Sequence, residues 1–242
     1  MKNFPIKAVL FDLDDTLWPV LPVITRAESV LHDWLAAHAP AVAQQFSIDM
    51  LRQQRRELMA VDPRYQIDLW ALRHTALCQA FASVGEDVAK VEQAMAAFAT
   101  ARNAVTLFDD VLPVLERLRQ CRQFKLAAVT NGTADLDVIG IGHYFHASLS
   151  APRLGCAKPG AAIFHLACDA LGVAPAEALY VGDDPQLDIE GAQRAGLRAM
   201  WINRFDRILP PHIRPDGRGT TLHALEPWLA ERIMLAPSLA AR

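Results

Sequence analysis

The chain predicts an α/β fold: a doubly wound, mostly parallel sheet into which an α-helical cap is inserted early in the sequence. Three observations predict it. Four short apolar runs each finish in polar or acidic residues, helical patterns alternate with the later three runs, and one long interval after the first run carries helical patterns alone. With 242 residues, 52% hydrophobic and 21% charged, the chain has the length and apolar content for one main core plus a modest insertion.

The first run, "KAVLFD" at 7–12, is continuous rather than alternating, as expected of a strand buried on both faces of a parallel sheet. "KLAAVTN" at 125–131, "ALYVGDD" at 178–184 and "RAMWIN" at 198–203 repeat the pattern. Between them, Val111, Val114, Leu115 and Leu118 recur at helical spacing, Ile163 to Leu171 form a helix stopped by Gly172, and 186–195 form another stopped by Gly196. Leu222, Leu225, Leu229 and Ile233 predict a closing helix over 221–233. In such sheets ligands bind beyond the carboxyl ends of the strands, which is where these runs place their polar residues.

The interval 19–105 reads as four helices. Thr25 and Glu28 form a capping box ahead of Val30, Leu31, Trp34 and Leu35, with Pro40 closing the segment. Ile48, Leu51 and Leu58 mark a second helix, Leu69, Leu72, Ala76 and Ala80 a third, and Val88, Val91, Met95 and Phe98 a fourth. The division expected is a catalytic core of 1–18 and 106–242, with a cap of 19–105 that excludes water and selects substrate. Arg64, Tyr65, Trp70, Arg73 and His74 are concentrated in the cap, where packing and a solvated face account for them better than recognition of a leaving group does. His143 and His146 read as ordinary loop or core residues.

A formal net charge of -3, from 24 basic and 27 acidic side chains, and the lack of a long basic run argue against a nucleic-acid partner. No uninterrupted apolar window is long enough for a membrane span. Cys78, Cys121, Cys156 and Cys168 have neither CxxC nor zinc-site spacing, and the acidic beginning does not resemble a signal peptide, so reduced thiols and a cytoplasmic setting are expected. The expected assembly is a monomer or homodimer.

The chemistry begins at "DLDDT". Asp12 and Asp14, on alternate residues leaving a strand, repel each other unless a cation or a shared proton intervenes. Mg²⁺ prefers oxygen ligands, so one carboxylate, a backbone carbonyl and an acid from another strand make a plausible site, and Asp183 supplies that acid. Asp15 reads as a turn residue. Pro185 opens the following helix with Asp184 as its N-cap, and Asp188, one turn further, faces the same way.

The sequence Asp12-Leu13-Asp14-Asp15-Thr16 resembles the first motif, DxDx[TV], of the haloacid dehalogenase-like hydrolases, and especially of their phosphatases. Thr130 in "VTNG", Lys158 in "AKPGAAIF" and Asp183, Asp184 and Asp188 in "GDDPQLDIEGAQRAG" resemble the second, third and fourth motifs, in order, across roughly 5–203. The chain departs from the family pattern at Ala151-Pro152, where Ser-Glu is common, and at Gly160, where Asp is common.

The resemblance implies that Asp12 attacks phosphorus to form an aspartyl phosphate, and that Asp14 serves as acid and then base. It implies that Thr130 and Lys158 hold phosphoryl oxygens, and that a Mg²⁺ cofactor takes a carboxylate oxygen of Asp12, the carbonyl of Asp14 and the Asp183 side chain, with Asp188 in support. Asn131 and Gly132 shape the turn after the second strand and are candidates for phosphoryl binding through backbone N–H groups. The expected substrate is a small phosphorylated metabolite. A phosphomutase or a dehalogenase of the same fold, a receiver-like switch phosphorylated on aspartate, and a non-catalytic scaffold are the alternatives. Asp14 argues against the dehalogenase, whose halide needs no proton.

Overall fold

A computed structural model of the protein describes residues 5–234. Six strands, β1 Ala8–Phe11, β2 Lys125–Thr130, β3 Ala147–Ser150, β4 Ala178–Gly182, β5 Arg198–Ile202 and β6 Gly217–Gly219, form one parallel sheet in the order β3-β2-β1-β4-β5-β6. Leu10 of β1 lies opposite Ala127 of β2 on one side and Tyr180 of β4 on the other. The chain winds outward from β1 in one direction and then returns to wind outward from β4 in the other. The crevice at their carboxyl ends is therefore the topological switch point at which such sheets bind ligands.

Side chains of β1 alternate between two apolar layers. Val9 and Phe11 face one cluster, Ala8 and Leu10 the other, and all four are fully buried. This double burial is the reason the strand sequence is continuously apolar.

The helices are α1 Val20–His38, α2 Pro40–Gln45, α3 Ile48–Val61, α4 Leu69–Ser83, α5 Val91–Asn103, α6 Val111–Gln120, α7 Leu136–Ile139, α8 Ala151–Leu154, α9 Ala161–Leu171, α10 Gly191–Arg194 and α11 Leu225–Met234. α6 and α11 cover the first face through Val114, Leu115 and Trp228, while α9 covers the second through Phe164 and Ala167. None of the described helices is long and apolar enough to cross a membrane.

Helices α1 to α5 pack around an apolar cluster of their own, centred on Leu31, Leu35, Leu77, Phe81 and Met95. The expected boundaries differ here in two respects. Pro40 does not merely end a helix but begins the short α2 as its first residue, so the insertion holds five helices rather than four. α1 starts at Val20, whose N–H donates to Asp15 Oδ1 at 2.8 Å, which leaves Thr25 and Glu28 inside the helix rather than capping it. The Thr-x-x-Glu spacing also fits one face of a helix interior, and the tight loop before Val20 decides the start.

Glu28 has another task. It is buried and accepts from Arg52 at 2.7 Å and from Arg55, with Arg73 3.6 Å away. Arg73 in turn stacks on Phe98, 3.7 Å from the ring centre.

Strands β3 and β6 were not anticipated from sequence. "ASLS" and "GRG" are too short and too polar to stand out as continuous apolar runs, and they lie at the sheet's two edges, although Leu149 of β3 is buried in the core. The segment expected as a helix over 186–195 opens with a wider π-helical stretch, Pro185–Glu190, before α10.

Glu28→Ala leaves three converging arginines without their carboxylate. It is expected to cost about 3 kcal/mol, measured by urea denaturation, because removing one partner strands buried charge.

Candidate active site

Three adjacent strands end at one place. Asp12 follows β1, Thr130 is the last residue of β2 and Asp183 follows β4, so the parallel register alone brings them together. Asp12 N–H still donates to Val181 O at 2.9 Å, which extends the ladder by one residue and fixes the direction of its side chain.

Lys158 comes from the loop before α9. Asn131 clamps that loop from both sides: its Oδ1 accepts from Lys158 N–H at 2.9 Å and its Nδ2 donates to Lys158 O at 3.0 Å. Asn131 thus spends its side chain on holding Lys158, which leaves only its backbone for a phosphoryl group.

Lys158 Nζ donates to Asp12 Oδ1 at 2.5 Å and to Asp188 Oδ1 at 2.7 Å. Asp12, Asp183 and Asp188 each offer a carboxylate oxygen within 4.8 Å of the others, and all three side chains are buried. Gly182 makes this approach possible, since a Cβ there would lie 2.4 Å from Asp188 Oδ2 and 2.7 Å from its Cβ. Asp184 faces elsewhere. Its Oδ1 accepts from the N–H groups of Gln186 and Leu187 at 2.8 Å each, the capping role expected of it.

Asp14 does not join this cluster. Its Oδ1 accepts from Trp18 Nε1 at 2.8 Å, and both of its oxygens lie 2.7 Å from one guanidinium nitrogen of Arg102 in α5. Two carboxylates only two residues apart therefore have entirely different partners. At Gly132 a Cβ would sit 3.2 Å from Asp14 Oδ2 and 3.3 Å from Thr130 Oγ1, so the missing side chain keeps the space between these two groups open. Thr130 Oγ1 accepts from Gly132 N–H at 2.9 Å.

Three contributors escaped the sequence reading. Thr16 Oγ1 lies 3.2 Å from Asp12 Oδ2 and 3.3 Å from Asp183 Oδ1, and its place within "DLDDT" was the available signal. Arg207 pairs with Asp15 Oδ2 at 2.6 Å and with Asp183, while Arg102 holds Asp14, yet nothing in the local patterns around either arginine marks it. Asp15 takes the left-handed conformation, φ +61°, as a tight turn requires.

Of the polar residues concentrated in the insertion, Arg73 is held by Glu28, Tyr65 donates to Thr75 Oγ1 at 3.1 Å, and His74 lies 2.8 Å from Glu92. Arg64 pairs with Asp62. Trp70 alone of this group lines a cavity of about 480 Å³ between the inserted helices and the sheet, together with Asn103, Thr133 and Ser150.

Burial dominates the electrostatics. It pushes Asp12 well above the usual carboxylate range, with Asp188 and Asp183 adding to the effect and Lys158 opposing it. Asp183 is raised from its ordinary 3.8 to about 7 by burial first and the nearby Asp188 second, against Arg207. Burial disfavours the Lys158 ammonium, but Asp12 and Asp188 outweigh it and hold the group charged well above its ordinary range. An all-oxygen donor set whose anions crowd one another is the chemistry that suits a hard divalent cation, which relieves the repulsion.

Comparisons with known proteins give the family. A family model described as hydrolase, haloacid dehalogenase-like hydrolase, matches residues 6–196. The 5-amino-6-(5-phospho-D-ribitylamino)uracil phosphatase YigB of Escherichia coli is 32% identical over 86% of this chain and 91% of its own length. The phosphoserine phosphatase of Thermus thermophilus is 32% identical over 94% of this chain and 100% of its own length. Among solved structures, a 2-haloacid dehalogenase from Pseudomonas syringae superposes with a TM-score of 0.87 at 37% identity, covering 93% of this chain and 99% of that one.

Two outcomes are expected from the site's crowding. Because Asp183 binds its proton more tightly in the fold than in the unfolded chain, its ionisation destabilises the fold progressively from about pH 4 to about pH 7. A bound dication offsets that loss, so the rise in melting temperature on adding Mg²⁺ should be larger at pH 8 than at pH 5.5, as read by thermal scanning. In addition, Gly182→Ala should drive Asp188 away from Lys158 and lower Mg²⁺ affinity on calorimetry by about 10-fold or more, the range seen when groups supporting metal ligands are disturbed.

Proposed function

Because the chain belongs to the haloacid dehalogenase-like hydrolases, we propose that it is a Mg²⁺-dependent phosphatase that hydrolyses a small phosphorylated metabolite through an aspartyl phosphate. The carrying observation is the separation of tasks between two neighbouring carboxylates: Asp12 lies against Lys158, while Asp14 is held apart by Trp18 and Arg102.

In this reading a carboxylate oxygen of Asp12 attacks phosphorus as the ester P–O bond breaks, and the departing oxygen takes a proton from Asp14. Asp14, now ionised, removes a proton from the water that cleaves the Asp12–phosphate bond, releasing inorganic phosphate and restoring both groups. Lys158 places positive charge beside the attacking carboxylate and the transferred oxygens. Thr130 Oγ1, which accepts from Gly132 N–H, presents its hydroxyl proton to the same oxygens, and the turn beside the open space at Gly132 offers them the backbone N–H of Asn131. Thr16 orients Asp12 and Asp183.

Asp12 and Asp183 would hold Mg²⁺ with the carbonyl of Asp14, and Asp188 supports both Lys158 and the ion. Such an ion supplies charge neutralisation between the anionic nucleophile and the anionic phosphoryl group. Residues 19–105 act as the cap over the core of 1–18 and 106–242, with the cavity beside Trp70 and Asn103 as the leaving-group space. The names of the curated relatives, each a phosphatase of a small phosphate ester, support this substrate class. All four cysteines are free thiols, in keeping with a reducing cytoplasm, and we take the working unit to be a monomer or homodimer.

The 2-haloacid dehalogenase neighbour favours a second reading, in which Asp12 attacks a carbon bearing halogen. Asp14 and its two partners have no task in that reaction.

Asp12→Asn is expected to remove Mg²⁺-dependent phosphate release from a panel of phosphorylated metabolites. Halide release from a 2-haloacid that Asp12→Asn abolishes, without phosphate release from any ester, would establish the second reading instead. Asp14→Asn should lower turnover of an alkyl phosphate by about 10²–10⁴-fold while calorimetric Mg²⁺ affinity stays within about threefold, since acid–base assistance has that size and the carbonyl of residue 14 is retained.

A further inference from the structure

We propose that Arg102, delivered by the last turn of α5, is a positioning residue that orients the Asp14 carboxyl for proton transfer to and from the ester oxygen, so that the cap contributes directly to the chemistry. The proposal rests on the phosphatase reading above.

Arg102 is 4% exposed and lies 88 positions from Asp14 in sequence, yet one of its nitrogens sits 2.7 Å from both carboxyl oxygens. Trp18 Nε1 also takes Oδ1, whereas Oδ2 accepts from Arg102 alone among the described residues. Oδ2 is also the oxygen that borders the open space at Gly132, beside Thr130. The guanidinium nitrogen borders that same space, 3.6 Å from where a Gly132 Cβ would sit, and so holds the carboxyl with its less occupied oxygen beside the phosphoryl cradle. A carboxylate so near other acids, with Trp18 as its only other anchor, could otherwise turn away from that cradle.

The other terminal nitrogen of Arg102 is buried and has no partner among the described residues.

The turn that carries Arg102 is pinned on both sides. Arg26 of α1 donates to the carbonyls of Ala101 and Ala104, and Asn103 Oδ1 accepts from Asp135 N–H of the core at 2.9 Å. The guanidinium thus reports the placement of the helical layer to the acid–base group.

The test compares two esters. An alkyl phosphate needs its leaving oxygen protonated, whereas p-nitrophenyl phosphate departs readily as an anion. Arg102→Met and Arg102→Gln, each checked for folding by thermal unfolding, are expected to lower kcat on the alkyl ester at least about tenfold further than on the aryl ester, and either folded variant suffices. Arg102→Lys should bring the ratio of the two rates back to within about threefold of the wild type, and adding Arg102→Met to Asp14→Asn should leave that protein's ratio unmoved.

Equal losses on both esters, or a further change in the ratio in the Asp14→Asn background, would overturn the assignment and leave Arg102 as a structural ion pair. Failure of both neutral variants to fold would overturn it in the same way, since stability would then account for the pair. A wild-type protein that releases phosphate from neither ester removes the phosphatase reading itself, and the role of Arg102 falls with it.

Discussion

The buried ammonium of Lys158 is the charge on which the rest of the site depends. Asp12, Asp183 and Asp188 crowd into a volume where each anion raises the cost of the next, and burial withholds the water that would screen them. Lys158 bonds two of the three, and Arg207 pairs with the third. Local features of the sequence are arranged to allow this: Asn131 fixes the lysine's backbone, Gly182 leaves room for Asp188, and Asp184 starts the helical segment that carries Asp188 inward. Stability and reactivity are opposed in such an arrangement, because the repulsion that a cation relieves is also what makes the fold receptive to one.

A second constraint separates two kinds of carboxylate work. Asp12 and Asp14 share a strand end, but the chain turns sharply between them and Trp18, with Asp15 in the left-handed conformation. That turn sends Asp12 toward Lys158 and Asp14 toward α5. Two neighbouring groups of the same type can take different tasks only if their surroundings differ. Here the core supplies one surrounding and the helical insertion supplies much of the other.

The fold supplies the frame for both. With parallel strands in the order β3-β2-β1-β4-β5-β6, three neighbouring strands deliver Asp12, Thr130 and Asp183 to one crevice without any long-range side-chain contact. The five inserted helices hold a separate apolar cluster and meet the site through the last turn of α5 and the cavity beside Trp70.

The four interior strands, the alternation of helices and the order of the motif residues were legible in the sequence, because double burial writes itself as continuous apolar runs and polar strand ends interrupt them. The edge strands β3 and β6 were not, since a strand with one neighbour and few apolar contacts leaves no such trace. Glu28 shows the same limit at a single residue: its spacing from Thr25 is compatible with a cap, and only the convergence of Arg52, Arg55 and Arg73 reveals a buried anchor. Asp12, Asp14, Thr130, Lys158 and Asp183 could be named from local pattern and resemblance, while the partners Arg102 and Arg207 depend on contacts between segments far apart in the chain, and a surface arginine and a buried one are written with the same letter. Which acids face one another, which face a guanidinium, and which space stays open at Gly132 were decided by packing in three dimensions.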